Sequence, residues 1–422
     1  MKNLIQNLAV IKVLLLSSFS TAIKIISASI IAKLISIYAG PAGLGIFGQF
    51  QNISGIIQTF SCAGLNNGII HYIAKDGYNK TLVSTIYKIT IFSSCMCGLL
   101  VIIFSKKLSE ITFQYDELYY IFISLGATLL LFSLNSVLMS IYIGLNKSNL
   151  YIKINIIQSI IGLFISSLLI YVLKIHGAFI AIIINQLIYF IIIYLIHRRL
   201  NLSSFLHLKL DITYTKKLLR YSSMSIVTVI ALPLSNFIIR QYIITHLSLN
   251  HAGYWQAMNY ISSMYLLVIT TTLTIYYLPR LSTLHDKKSI FNEIVKTFII
   301  LLPISIAFAI FIFLSKNILI NIFFSEEFTP ILVLLKYQLL GDIIRIASCT
   351  LSYLMLAKAM TKSFIFTEIL SSLILILLSI VCLNTYGFIG LSYAYFMSSI
   401  CYFCMMLLTA YVYFSKINSY SF

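Results

Sequence analysis

The sequence predicts an all-α polytopic membrane protein, and three observations predict it: the composition, the length of the apolar runs, and the confinement of charge to short stretches between them. Hydrophobic residues make up 60% of the 422 and charged residues 9%, with a mean hydropathy of +0.99. A hydrocarbon core of about 30 Å needs roughly twenty apolar residues per helix, and such runs follow one another along the whole chain. Strands of a membrane barrel would instead alternate polar and apolar residues over about ten positions. The net charge of +18, from 29 Lys and Arg against 11 Asp and Glu, would suggest nucleic acid in a soluble protein. Here most of the cations stand at helix ends, where the positive-inside bias places them, so no nucleic-acid partner is expected.

Twelve spans are expected, at about 9–38, 43–73, 82–104, 117–145, 149–173, 177–197, 217–247, 251–281, 294–314, 328–357, 362–384 and 387–414. The first two form a hairpin around Gly40-Pro41-Ala42-Gly43-Leu44-Gly45. Gly43-Leu44-Gly45-Ile46-Phe47-Gly48 spells G-x-G-x-x-G. That string binds dinucleotides only between a strand and a helix, with an acid about twenty residues on; here the preceding segment is helical and the next acid is Asp76. The glycines therefore read as a turn at a membrane surface. No G-x-x-x-x-G-K-[ST] occurs, which argues against direct ATP drive. The first apolar run is too long for a cleavable signal and stays as a helix. The seven cysteines lie in apolar segments, and Cys401-Tyr402-Phe403-Cys404 has no second pair or spaced histidines, so neither a metal site nor a cofactor is expected. No connection is long enough to fold as a domain, which argues against a membrane glycosyltransferase or polymerase.

The loops carrying Lys75/Lys80, Lys147/Lys153, the cluster from Arg198 to Arg220, Arg280/Lys287/Lys288 and Lys358/Lys362 outweigh the alternate set in positive charge. That set is expected to be cytoplasmic, as are both termini. The chain also repeats. Gly45-x-Phe47 with Ile53-Ser54 is matched 208 residues later by Gly253-x-Trp255 with Ile261-Ser262, and Asp116-Glu117 is matched 210 later by Glu326-Glu327. Lys147-Ser148 is matched 215 later by Lys362-Ser363, and His176-Gly177 is matched 210 later by Tyr386-Gly387. Two six-helix lobes follow, at 1–197 and 217–422, with a cytoplasmic linker at 198–216. An even number of spans per copy relates the lobes by a pseudo-two-fold axis along the membrane normal.

Ionisable and amide side chains inside spans are candidate site residues, because hydrocarbon does not tolerate them unpartnered. Lys24 lies near mid-depth of the first span, on one stripe with Ser17, Ser20, Thr21, Ser27 and Ala28, which favours a cavity over snorkelling between packed helices. Lys33, nine residues on, points the opposite way and can snorkel from the outer end. Gln51, Ser54, Gln58 and Ser61 form one polar face of the second span. In the seventh span Pro233, Asn236 and Arg240 share a face, Arg240 being either an interfacial anchor or a cleft residue. Gln256 and Asn259 follow in the eighth. Asp342 and Arg345 of the tenth span stand at i, i+3 and either pair or leave Asp342 as a protonatable carboxylate for gradient coupling; Glu368 in the eleventh is a weaker candidate. Polar faces on spans one, two, seven and eight suggest a cleft between the lobes.

Gly40 to Gly45, Ala63-Gly64 to Asn67-Gly68 with Tyr72, Gly253-x-Trp255-Gln256, Tyr277-Leu278-Pro279-x-Leu281-Ser282 and Gln338-Leu339-x-Gly341-Asp342 resemble the Wzx-type flippases of lipid-linked O-antigen and enterobacterial common antigen units. Those belong to the multidrug, oligosaccharidyl-lipid and polysaccharide exporters. The resemblance implies a V-shaped transporter of twelve helices in two lobes, alternating its cleft between cytoplasm and periplasm of a bacterial inner membrane. It implies an undecaprenyl-diphosphate-linked oligosaccharide as cargo, and as partners the lipid bilayer, a glycan polymerase and a chain-length regulator. Lys24, Lys33 and Arg240 fall at positions that look basic in that family, and so would face the diphosphate. Gln51, Gln58, Gln256 and Asn259 would serve the sugars. A cation-coupled drug exporter of the same superfamily is the alternative, and an intramembrane glycan polymerase a weaker one.

Overall fold

The computed structural model describes residues 2–77, 79–113, 115–145, 147–196, 211–273, 277–284, 286–358 and 360–419. Among them every regular element is helical, as a chain must be whose backbone polar groups are to be satisfied within hydrocarbon. Seven helical stretches are long and apolar enough to cross a membrane, so this is a multi-pass membrane protein. Three of them, Phe19–Ser61, Asn149–Ile196 and Thr361–Ser415, run to 43, 48 and 55 residues, about twice the roughly twenty that one crossing needs.

Each long stretch is broken once by a residue with positive φ. In α1 (Lys2–Ser61) the break is Gly40, at φ 63° and ψ −168°. Glycine takes this conformation freely, and Pro41 after it has no N–H to lose and a φ already suited to a first helical turn. In α6 (Ser148–Ile196) it is Lys174, at φ 52° and ψ −127°. In the third stretch it is Gly387, at φ 64°, between α13 (Thr361–Tyr386) and α14 (Gly390–Ser419).

By packing, the chain divides into two compact units, one of Met1–Ala39 and Ile46–Phe237, the other of Gly40–Gly45 and Ile238–Phe422. Of the expected linker at 198–216, residues 198–210 lie outside the described residues; the division falls inside α7 (Ile212–His246). The reason is that Leu218 in the first half of α7 is buried in the same apolar cluster as Ile69, Ile86 and Val137, with Tyr214 packed against it. Ser222 and Ile226 lie against Gly64.

Within the first unit α2 (Asn66–Asp76) and α3 (Lys80–Ile103) are followed by a short α4 (Ser105–Phe113), then α5 (Tyr119–Gly144) and α6. The second unit repeats this order. After α8 (Leu249–Thr272) and the short α9 (Leu278–Thr283) come α10 (Lys287–Leu314), a short α11 (Lys316–Phe323), α12 (Leu332–Ala357), α13 and α14. The starts of α5 and α12, the starts of α6 and α13, and the breaks at Lys174 and Gly387 are all 213 residues apart. So are Gly177 and Gly390, whose missing side chains let the chain double back onto the carbonyls of Leu169 and Cys382. The pairings of His176-Gly177 with Tyr386-Gly387 and of Lys147-Ser148 with Lys362-Ser363 are therefore shifted by three and two residues. Like residues chosen by identity fall near the true register, whereas the left-handed residue and the glycine three positions later define it.

Lys174 takes a backbone conformation that its counterpart Gly387 takes without strain. Lys174→Gly is expected to raise the melting temperature of the detergent-solubilised protein by the equivalent of about 1 kcal/mol, being relief of left-handed strain less the entropy glycine adds to the unfolded chain. Gly387→Lys, with open space around its Cβ, should lower it by a similar amount.

Large apolar side chains stand outward on these helices, among them Phe92, Phe164, Leu314 and Tyr411, each 70% exposed or more. Water would not tolerate so much apolar surface, and lipid tails are its natural solvent. Inside the first unit, Phe50, Phe113, Phe122 and Phe179 form an aromatic core with ring centroids 4.8–5.7 Å apart. Tyr254, Phe324, Phe328 and Phe388 form one in the second.

Candidate functional site

The first unit holds Lys24, Lys33, Gln51 and Gln58. Along α1, Ser20 and Ser27 are buried and Thr21 is half-buried, whereas Lys24 and Ala28 are exposed. The small-residue stripe thus packs against protein, and Lys24 stands at its open edge; the side chain of Ser17 lies outside the described residues. Lys33 is half-buried, and its carbonyl accepts from Ser36 Oγ at 2.7 Å. The polar face of the second span divides in two. Ser54 and Ser61 are buried, Ser61 Oγ meeting Ser133 Oγ at 2.8 Å, while Gln51 and Gln58 remain half-buried.

Gln58 lines a half-open pocket of about 220 Å³ together with Thr59, Asn66, Asn67 and Phe132. The pocket exists because the helix is interrupted: Ala63 (φ 49°) and Gly64 (φ 61°) are both left-handed, and α2 begins two residues later with no side chain capping its N-terminus. In the second unit α8 ends at Thr272 and α9 starts at Leu278, with Leu273 and Tyr277 between them in right-handed helical conformation and 274–276 outside the described residues.

In the second unit Arg240 is 1% exposed. Its Nη2 donates to Gln256 Oε1, and its guanidinium lies 5.4 Å from the centroid of Trp255. A buried guanidinium needs such neighbours. Both come from the following helix, so the arginine and glutamine proposed for different parts of a ligand hold one another. Nearby in sequence, Asn259 Nδ2 is buried with no hydrogen-bond partner.

Asp342 of α12 is completely buried and accepts three hydroxyls. Ser262 Oγ donates to Oδ2 at 2.8 Å, Tyr265 Oη donates to the same oxygen, and Tyr395 Oη donates to Oδ1 at 2.6 Å. Gln338 Nε2 in turn donates to Ser262 Oγ at 3.2 Å. Of the two alternatives for Asp342 and Arg345, an ion pair within 4 Å is not formed: among the described residues that pair is Arg280 with Glu293, at 3.7 Å. Arg345 lies over the ring of Tyr402, 4.1 Å from its centroid, and Tyr402 Oη donates to Glu368. The tyrosines of α14 engage both instead, Tyr395 bonding the carboxylate and Tyr402 lying under the guanidinium. The positions 213 residues before Asp342 and Arg345 are Leu129 and Phe132, so the first unit has no equivalent of this carboxylate.

Tyr265, Tyr395, Tyr402 and Phe132 are the site residues that the polar-residue reading missed. Tyr395 and Tyr402 are seven apart and share a helical face, which is the signal that could have found them. Among the described residues no group of His, Cys, Asp and Glu converges as a metal site.

The fold defines an all-helical multi-pass membrane protein. The architecture is shared with an inward-facing multidrug resistance MATE family transporter of the MOP superfamily, with a TM-score of 0.78 at 15% identity over 93% of this chain and 96% of that one. It is also shared with the lipid II flippase MurJ in an inward closed conformation, with a TM-score of 0.74 at 16% identity over 95% and 87%. The chain belongs to the polysaccharide biosynthesis protein family, whose model matches residues 30–333. It is 26% identical, over 93% of its length and 96% of theirs, to the lipid III flippases of Escherichia coli (strain K12) and Shigella flexneri. These relatives are flippases and transporters rather than enzymes.

Proposed function

We propose that the protein is a flippase that carries an undecaprenyl-diphosphate-linked oligosaccharide, an O-antigen repeat unit or similar surface glycan, from the cytoplasmic to the periplasmic leaflet of a bacterial inner membrane. The observation that carries this reading is the likeness to the lipid III flippases over nearly the whole chain. The amide-lined pocket of the first unit suits the glycan of such a cargo. In this reading the breaks at Gly40, Lys174 and Gly387 are turns at membrane faces, so that the helices make twelve crossings in two six-helix lobes. The lobes are related by a pseudo-two-fold axis along the membrane normal, form a V, and alternate in access, with both termini cytoplasmic. The polyprenyl tail stays in lipid and only the head group crosses. A glycan polymerase and a chain-length regulator would act on what emerges.

Lys24, exposed at the edge of its stripe, is the cation that meets the diphosphate first, with Lys33 further out. Arg240 joins only when it exchanges Gln256 for phosphate oxygens, which a guanidinium binds in a bidentate way. Gln51, Gln58, Gln256 and Asn259 serve the sugars. Asp342 and Glu368 are the carboxylates available for proton coupling. A drug exporter is the weaker reading, because the MATE likeness is one of fold and the buried carboxylate of the second unit is enclosed by hydroxyls rather than open to a cationic drug. An intramembrane polymerase finds no support among the named relatives.

The test is proteoliposomes loaded with a fluorescently labelled lipid-linked oligosaccharide, its exposure on the far leaflet followed by an impermeant quencher. Wild type should accelerate flipping, and Lys24→Ala with Arg240→Ala should slow it by roughly a hundredfold, as the loss of two charge-assisted contacts implies. Flipping unchanged in the double variant removes the diphosphate site. No flipping by wild type removes the function.

A further inference from the structure

The interruption of the second span at Ala63-Gly64 is the least economical feature of the first unit. An unbroken helix would satisfy its own backbone in hydrocarbon, whereas a break frees carbonyls and N–H groups that must find partners. Here the turn bonds much of its own backbone, Ala63 N to Phe60 O, Gly64 N to Thr59 O and Leu65 N to Cys62 O, and neighbouring helices brace it. Ser93 Oγ of α3 donates to Phe60 O at 2.7 Å, and Cys97 Sγ lies 3.7 Å from Ile57 O. On the other side α5 grips both ends of the break, Ser133 Oγ meeting Ser61 Oγ and Ser136 Oγ donating to Asn66 Oδ1 at 3.1 Å. A defect held by two helices in this way is a built feature, and what it creates is the pocket.

The chemistry of that pocket is specific. Gln58, Thr59, Asn66 and Asn67 offer amide and hydroxyl groups, Phe132 offers an aromatic face, and among the described residues none that line it is charged. A Cβ on Gly55, also at its wall, would stand in open space. Amides beside one aromatic ring suit a pyranose, whose hydroxyls need donors and acceptors and whose C–H face packs on a ring. The volume, about 220 Å³, leaves room for one sugar ring. Depth agrees as well. Lys24 is sixteen residues from the corner at Gly40 and Gln58 eighteen, or about 24 and 27 Å along their helices at 1.5 Å per residue. A diphosphate at Lys24 therefore brings the first sugar to the level of the pocket.

We propose that the helix break is a monosaccharide subsite, which holds one pyranose ring of the glycan on Phe132 with Gln58, Thr59 and the paired asparagines around it. The proposal rests on the flippase reading and names where that cargo's sugar is recognised. The experiment titrates full-length protein in nanodiscs with two probes, undecaprenyl diphosphate carrying one N-acetylglucosamine and undecaprenyl diphosphate bearing no sugar. The reporter is the emission of Phe132→Trp, with wild type, whose single tryptophan is Trp255, as the background. The sugar-bearing probe should shift that emission and the bare one should not. Adding Gln58→Ala should weaken binding of the sugar-bearing probe roughly tenfold. No shift with either probe, or equal shifts with both, overturns the subsite. Because binding is read without transport, wild type that flips while Phe132→Trp stays silent sinks the subsite alone. A Phe132→Trp protein that reports the sugar, beside wild type that flips nothing, sinks the flippase reading alone.

Discussion

Gly253→Val is expected to leave little folded protein. Gly45 and Gly253 occupy matching corners 208 residues apart, and in the second unit these corners are packed backbone to backbone. A Cβ on Gly45 would stand 2.8 Å from Gly253 N and 3.0 Å from Leu249 O, and one on Gly253 would fall onto the carbonyl of Pro41, 2.9 Å from its Cα. A flexible side chain could move aside; these obstacles are main chain, held by the helices on either side of each corner. Overpacking commonly costs 1–3 kcal/mol where side chains can yield, so a clash with backbone should exceed about 3 kcal/mol, a large part of the 5–15 kcal/mol of a typical fold. The measurement is monodispersity and melting temperature in detergent. Gly55→Ala, with nothing within 4 Å of its Cβ, is the control that should melt at or above the wild-type temperature, since alanine favours helix over glycine by about 1 kcal/mol. A Gly253→Val protein that melts with wild type would mean that the corners are not packed as described.

The same two corners show what a sequence discloses. Gly40-Pro41 declares its turn because a left-handed residue and a missing N–H leave a local signature, and the apolar runs declare helices because hydrocarbon imposes their length. That Gly45 would lie against Gly253 is written nowhere in either segment; the repeat merely hints that they are equivalent. Side-chain partners are harder still. Lys24 could be placed by depth and by its stripe, both properties of one helix. Arg240 finds its partner sixteen residues away on the next helix, beyond any i, i+4 rule, and a depth argument alone left it between anchor and ligand. Asp342 and Arg345 looked like a pair because they are three residues apart, yet tyrosines on α14 and a serine on α8 take their polar atoms instead. Tyrosine counts as apolar in a hydropathy reading, which is why the most enclosed polar cluster of the second unit left so faint a trace. The amide pocket left more: Asn66 and Asn67 after a glycine are conspicuous in an apolar run, although nothing local shows that the helix stops there.

Asp342→Leu and Asp342→Asn should separate the two roles that this cluster can have. Leucine fills a similar volume but removes the acceptor of Ser262, Tyr265 and Tyr395 at once. Each buried hydroxyl left without a partner costs about 1–3 kcal/mol, so the variant should lose several kcal/mol and melt far below wild type. Asparagine keeps the shape. Its Oδ1 still accepts from one hydroxyl, and its Nδ2 faces hydroxyls that can turn to accept, since each carries both a proton and lone pairs; the loss should stay near 1 kcal/mol. The folded asparagine variant then isolates the proton. Should Asp342 couple transport to a proton gradient, Asp342→Asn will flip lipid-linked oligosaccharide at a rate that no longer responds to an imposed pH difference across the proteoliposome, while wild type does. An undiminished response would remove Asp342 from the coupling and leave it a structural acceptor, with Glu368, bonded to Tyr402, as the carboxylate to test next by the same substitution.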